Sequence, residues 1–456
     1  MPIDPIARLA DVPEFTEFPT VDELGNRSER IVEQHPDIVS IRRIGTSRLG
    51  DPLRCLTIRG GSAHAIVFGS VHPNEPIGNL TALHLAETLC ADRELLTELG
   101  YTWHIIPCID PDGTRLNEGW FRGPFERSFY GRHFYRPAPD EQVEWTFPYA
   151  YKKAYFDRVL PETLALMRLI DETRPAFMCS LHNGELGGVY YYLSRPAPEL
   201  YPLLHGIPAA LGLPLDTGEP EVPYVDRYAP AIFHMIRSSD QYDYIEGLGL
   251  DPTVREAGES SAAYAEKYGT LSLVTEVPYW SHPDADDESE TTDRYADVLK
   301  QRAAGMHELS TVLADTLDAV RGDLSVESPY LRASKAFIPG FARSAKQDEG
   351  RAALPENDRP ATVGERFGCA DLVHCFRLRY GGMLLRAMDG ELAVGNATPA
   401  IRAHQAALSA RYDQWSEEAQ RAITADTIPI RKLVAVQFGA ILVAAAHARS
   451  GGDPEA

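Results

Sequence analysis

Ala65-Ile66-Val67-Phe68-Gly69-Ser70-Val71-His72-Pro73-Asn74-Glu75 is the stretch on which the reading of this chain turns. Its first seven residues are nearly all apolar, the composition of a strand covered on both faces. The run then breaks into a turn that carries a His and a Glu three residues apart. Pro73 and Pro76 stiffen that turn, and Pro76 can open a following helix. A second apolar run, Phe177-Met178-Cys179-Ser180-Leu181, also closes on a histidine, His182. Two imidazoles and one carboxylate, with a fourth position open to water, suit a catalytic zinc ion. Taken alone, a His and a Glu at this spacing are more often a surface turn than a metal site. A lone strand-end His is also more often a satisfied structural residue than a ligand.

Around this stretch the hydrophobic pattern alternates. Helical periodicity covers residues 21–34, 77–89 and 160–172, and strand-like runs cover 39–44, 53–59, 65–71, 102–109, 189–194 and 272–277. Apolar strands separated by helices predict an α/β/α sandwich around a mixed, mostly parallel sheet. In such sheets ligands gather at the carboxyl ends of the strands. His72, Asp110, His182 and Glu276 each close an apolar strand, a shared placement that scattered polar residues would not adopt. A long amphipathic helix over 294–320 ends the expected catalytic domain, 15–320. Residues 321–456 read as a mainly helical C-terminal extension, with an exposed linker at 346–361 and helical pattern over 403–446.

A chain of 456 residues with 44% hydrophobic content can bury one large core and a smaller second one. The net charge of −22 opposes nucleic acid and anionic membrane as partners and favours solubility. Six scattered cysteines without a CxxC pair suggest reduced thiols, and the N-terminus shows neither a basic n-region nor an apolar h-region, so a cytoplasmic location is expected. The apolar run at 433–446 carries Gln437 and Gly439, is too short to span a bilayer, and reads as a buried helix. The acidic stretch 281–293 reads as a solvated loop that would discourage acidic substrates if it bordered the site.

Three further segments follow in order: Ile109-Asp110-Pro111-Asp112-Gly113, the Ser180-Leu181-His182-Asn183 run, and Leu271-Ser272-Leu273-Val274-Thr275-Glu276. Together with the His-Pro-Asn-Glu turn they resemble the carboxypeptidase A-like zinc metallocarboxypeptidases over about residues 15–315. The resemblance implies a mixed eight-stranded sheet, one zinc per chain held by His72, Glu75 and His182, and Glu276 as general base. A carboxylate ending so apolar a strand is costly to bury without a purpose, though an ion pair with an arginine would also satisfy it.

Five arginines (Arg115, Arg122, Arg127, Arg132 and Arg136) crowd between Gly113 and Ala138. Guanidinium forks suit carboxylate recognition, and in an acidic protein they also serve internal ion pairs. By resemblance, Arg122 polarises the scissile carbonyl. The segment from Gly131 to Arg136 grips a C-terminal carboxylate, with Arg136, Tyr135 and Asn183 as substrate-binding residues. This chain departs from the family in carrying His133 for Asp, Tyr135 for Asn, and Asp110 for Asn. Tyr242, Tyr244 and Tyr264 are the candidates for the family's mobile tyrosine. The side-chain preference falls near residues 260–263, which are small and uncharged. His64, His84, His104, His133 and His205 read as structural or exposed.

Three functions fit these residues. The first is a zinc-dependent hydrolase cutting peptide or peptide-like amides near a free C-terminal carboxylate. The second is an N-acyl amino acid amidohydrolase on the same scaffold, with the C-terminal region capping a small pocket. The third is a non-catalytic zinc-binding protein. The expected partner is a peptide or small amide, with oligomerisation through the C-terminal region an open possibility.

Overall fold

The computed structural model describes residues 5–254 and 257–451. Its centre is a nine-stranded mixed sheet built from β1 (Val39–Thr46), β2 (Pro52–Arg59), β3 (Ala63–Phe68), β4 (Tyr101–Ile106), β5 (Phe177–His182), β6 (Tyr190–Leu193), β7 (Arg227–Ala229), β8 (Ile232–His234) and β9 (Leu271–Glu276). The spatial order is β1-β2-β4-β3-β5-β9-β6-β8-β7. The central four strands, β4-β3-β5-β9, run parallel, and antiparallel pairs flank them. One more strand is present than the resemblance implied.

Alternation along the central strands divides the apolar side chains between two layers. Ala65, Val67, Phe177, Cys179, Leu181 and Leu273 join a core shared with helices α1 (Val21–Gln34) and α2 (Ile77–Ala91). Ile66, Phe68 and Met178 face the other way, onto helix α3 (Pro161–Thr173). Helix α1 begins at a capping box, in which the Thr20 hydroxyl accepts from the Glu23 amide and the Glu23 carboxylate accepts from the Thr20 amide.

Four long helices form a second layer with its own core: α4 (Tyr295–Val320), α5 (Pro329–Ala352), α6 (Val363–Ala393) and α7 (Pro399–Ala422). The last helix, α8 (Ile430–Ser450), leaves that layer and packs back on α2, β5 and β9 in the first core. It has the length and hydropathy of a membrane span, but 78% of its apolar window is buried inside the fold. The packing therefore does not divide at residue 320. The helical layer takes in α4, and α8 belongs with the sheet.

Two loops expected from polarity alone are partly structured. Helix α5 runs through 346–352, because Asp348 and Arg351 turn inward and join a buried ion network with Arg302 and Glu219. Within the acidic stretch, Trp280–Ser281 pairs with Asp426–Thr427 and with Leu186–Gly187, and Glu290–Arg294 pairs with Pro360–Thr362. The polar residues there served ion pairing and strand edges as well as solvent.

Asp348→Ala would leave Arg302, 7% exposed, short of its bidentate partner. Breaking a buried pair by removing one member costs about 3–5 kcal/mol. Urea denaturation should show a loss of that order, and a change under 1 kcal/mol would mean the network adds little to stability.

Candidate metal centre

Strand register brings the centre together. In the parallel β5–β9 pair His182 lies directly beside Glu276, and in the β3–β5 pair Phe68 lies beside Ser180. The chain leaving β3 must then turn sharply to bring the His72 turn over the end of β5. Ser70 supplies that bend in a left-handed conformation, φ 52°, unusual for a residue with a side chain. Gly78 allows the first turn of α2 to press against the strand, since a Cβ there would lie 2.6 Å from the Cβ of Leu181.

His72, Glu75 and His182 converge in the space so formed. The Nδ1 atoms of His72 and His182 lie 3.2 Å and 3.4 Å from the same oxygen, Glu75 Oε2, and all three donor atoms fall within 4.8 Å of one another. A tetrahedral zinc with bonds of about 2.0–2.1 Å requires donors about 3.3–3.4 Å apart. The two measured edges match that figure, so the residues present fit the ion. The imidazoles meet edge to face, with centroids 4.8 Å apart. Ser180 Oγ lies 2.9 Å from His182 Nε2 and fixes that ring from behind, while His72 Nε2 is buried without a partner. Glu276 Oε1 is 3.6 Å from His182 Nδ1, and its Oε2 is likewise buried and unpartnered.

The protonation pattern follows from burial and crowding. Burial, helped by the Arg136 charge, lowers His72 to about 3, leaving it neutral, the form that ligates metal. Burial opposes ionisation of Glu75, but the Arg136 charge and hydrogen bonds from the two imidazoles hold it well below the usual carboxylate range. Burial likewise opposes the charge on His182, yet Glu75 and Glu276 lift it to about 9. Burial pushes Glu276 well above its ordinary value. A divalent cation among these groups would be the largest local charge and would reverse the last two shifts.

The sequence-assigned residues divide. Arg136 reaches the cluster: its Nε donates to Asn74 Oδ1 at 3.1 Å, and its Nη2 to Glu75 Oε1. Arg122 does not. It is 62% exposed and paired with Glu17 and Glu23 beside α1, which corrects its assignment to the scissile carbonyl. Arg115, Arg127 and Arg132 are also spent on ion pairs, with Asp22 and Asp51, with Glu185 and Asp371, and with Asp389. Tyr135 is corrected too: it is buried against Tyr330 in the core of the helical layer and does not face substrate. Asn183 binds inward, donating to the Val277 carbonyl at 3.4 Å and accepting from the Tyr279 hydroxyl at 3.5 Å.

None of the three candidate tyrosines contacts the cluster. Tyr242 packs on Tyr151, Tyr244 packs on Tyr224, and Tyr264 donates to Asp171. Tyr190 instead stands opposite Glu276 across the β6–β9 pair.

Two buried residues enter the site without having been singled out for it. Glu144 lies behind the small residues at 260–263, accepting from Ser261 Oγ at 3.2 Å, and burial raises its pKa to about 7. Gln437, fully buried in α8, donates to the His182 carbonyl at 2.7 Å and to the Thr275 carbonyl at 3.3 Å, and accepts from Thr81 Oγ1 at 2.8 Å. One amide thus joins α2 to the ends of the two strands that carry His182 and Glu276. Its signal in the sequence was a lone polar side chain inside an otherwise apolar helix.

The sequence profile of the zinc carboxypeptidase family matches residues 27–202, a span that includes all three candidate ligands. Carboxypeptidase E of Caenorhabditis elegans is 32% identical over 122 residues, 24% of this chain and 26% of that protein, so the chain spans about a quarter of the length of this curated relative. Among solved structures, carboxypeptidase A from Helicoverpa armigera aligns over 76% of this chain and 79% of its own, with 15% identity and a TM-score of 0.38. A metallo-carboxypeptidase from Burkholderia cenocepacia aligns over 57% and 60%, with 17% identity and a TM-score of 0.36.

Two variants test the centre. In wild type each tenfold excess of free zinc over its Kd should add about 1.4 kcal/mol of stability. His72→Ala should abolish this zinc-dependent rise in Tm, and full zinc occupancy in that variant would remove His72 from the ligand set. Gln437→Leu removes the amide that holds the His182 carbonyl. Zinc affinity should fall about 10–100-fold, the range for outer-shell partners. An unchanged zinc titration would reduce Gln437 to a packing residue.

Proposed function

We propose that this chain, whose residues 27–202 match the zinc carboxypeptidase profile, is a zinc-dependent hydrolase of peptide or peptide-like amide bonds near a free carboxylate. The observation that carries the reading is the convergence of His72, Glu75 and His182, with both histidine–Glu75 edges at the spacing of a tetrahedral zinc, beside a buried, unpartnered carboxylate oxygen of Glu276.

Zinc held by those three residues would supply Lewis acidity, polarising a carbonyl and bringing the pKa of water toward 7. Glu276 supplies the proton transfers. Its Oε2 takes a proton from the attacking water and returns it to the leaving amine nitrogen, a contribution of roughly 10²–10⁴ in rate. Register with His182 holds this carboxylate in place, and its Oε2 makes no hydrogen bond within the protein. Arg136 is the guanidinium beside the ligands, and recognition of the substrate carboxylate falls to it. Nε and Nη2 are engaged with Asn74 and Glu75, which fixes the plane in which the remaining amino group meets a substrate carboxylate.

A second reading, removal of an acyl group from an amino acid, draws support from the helical layer. A cleft of about 460 Å³ lined by Arg136 has α5 as one wall, and a walled cleft of that size suits a small amide. N-acyl amino acids and short peptides, assayed side by side, separate the two readings by which series gives the larger kcat/KM.

Glu276→Gln should fold and retain zinc while losing at least ~10² in turnover, the scale of a general base. Undiminished turnover in that variant would take Glu276 out of the mechanism.

A further inference from the structure

We propose that the wall contributed by α5 is a subsite for a second anionic group on the substrate, with Arg343 as its principal cation. The inference rests on the hydrolase reading above and specifies the substrate class: an acidic peptide or acyl-peptide carrying a carboxylate on the side of the scissile bond away from its terminal carboxylate.

One wall of the cleft is Arg136, which touches Glu75 of the metal centre, and the cleft extends to α5, which contributes Lys335, Phe337, Pro339 and Arg343. Arg136, Lys335, Arg343 and Glu221 are the charged groups on its lining among the described residues. Three of the four are cations, in a chain with 66 acidic and only 44 basic residues. Arg136 is engaged with Glu75. Lys335 is shared with Glu327 at 2.9 Å, and Glu221 accepts from the Tyr192 hydroxyl at 2.9 Å. Arg343 is exposed and makes no ion pair with any described residue.

Arg343 borders a concave space whose other walls include Trp145, Phe337 and Tyr380. Low-dielectric walls focus the field of like charges into a cleft, even where the cations themselves reach solvent. No residue of the acidic stretch 281–293 lines this cleft, so that stretch does not oppose an anionic ligand there. Helix α5 lies wholly outside the segment that matches the zinc carboxypeptidase profile. The helical layer thus adds a wall of cations beside a metal centre whose ligands come from strand ends and the turn after β3.

The test uses zinc-loaded, full-length protein and matched peptides that differ only in Glu or Gln at one of the three positions before the C-terminal residue. At least one Glu peptide should exceed its Gln partner in kcat/KM by about fivefold, the size of one solvated ion pair. In Arg343→Gln that ratio should fall toward one. Lys335→Gln should lower it less, because the ammonium already has a partner. A ratio of one or below at all three positions in wild type, or a ratio unchanged by Arg343→Gln, overturns the subsite. Calorimetric binding of the same pairs to Glu276→Gln separates this outcome from failure of the hydrolase reading. A Glu-over-Gln affinity gap without turnover in wild type would keep the subsite and remove the hydrolase. Turnover with no gap would do the reverse, and binding of neither peptide would also overturn the subsite.

Discussion

Parallel pairing of β5 with β9 is the constraint from which the rest of this site follows. It sets His182 beside Glu276, and a slip of one residue would send one of them to the opposite face of the sheet. Both side chains are buried, as are His72 and Glu75. Two imidazoles and two carboxylates in so small a volume would be an expensive arrangement if nothing compensated them. The upward shifts of both His182 and Glu276, toward a charged imidazole and a neutral carboxyl, record that crowding. A divalent cation at the convergence point relieves it, because it attracts both carboxylates and takes the lone pairs of both neutral rings.

The helical layer and α8 act on this centre from outside the strands. Gln437 clamps the carbonyls at the ends of β5 and β9. Three residues beyond His182, Glu185 is held by Arg379 from α6 at 2.5 Å and by Arg127 at 3.4 Å, which anchors the segment leaving the metal ligand. Tyr279 and Tyr130 fasten Asn74, the residue before Glu75, from the opposite side. Each contact is a polar group desolvated within apolar packing, where a satisfied hydrogen bond holds position firmly and a lost one is costly. Residues far along the chain thereby share in orienting ligands near its start.

How much of this was legible depended on how local each signal was. His72, Glu75, His182 and Glu276 sit at strand ends, where the apolar run itself tells which way the chain is going and where it stops. Arg136 was legible as a cation in the right segment. Arg122 and Tyr135 were misread because they lie in irregular chain between Gly113 and Ala138, where no period fixes which way a side chain faces. There the neighbours decided: Glu17 and Glu23 drew Arg122 outward, and the helical layer drew Tyr135 into its core. Residues 346–352 looked like a linker because charge density was taken for exposure, whereas Asp348 and Arg351 pair inside the protein.

By itself the amino-acid sequence determined the alternation of strands and helices, the burial of the central strands and the four residues poised at their ends. All of these are encoded within a few positions along the chain, through side-chain periodicity and turn chemistry. Tertiary structure alone decided which of five arginines reaches the ligands, that α8 returns to the sheet to hold His182, and that α5 walls the cleft. Those outcomes depend on register and on contacts between segments up to hundreds of residues apart, and local periodicity carries no information about such distances.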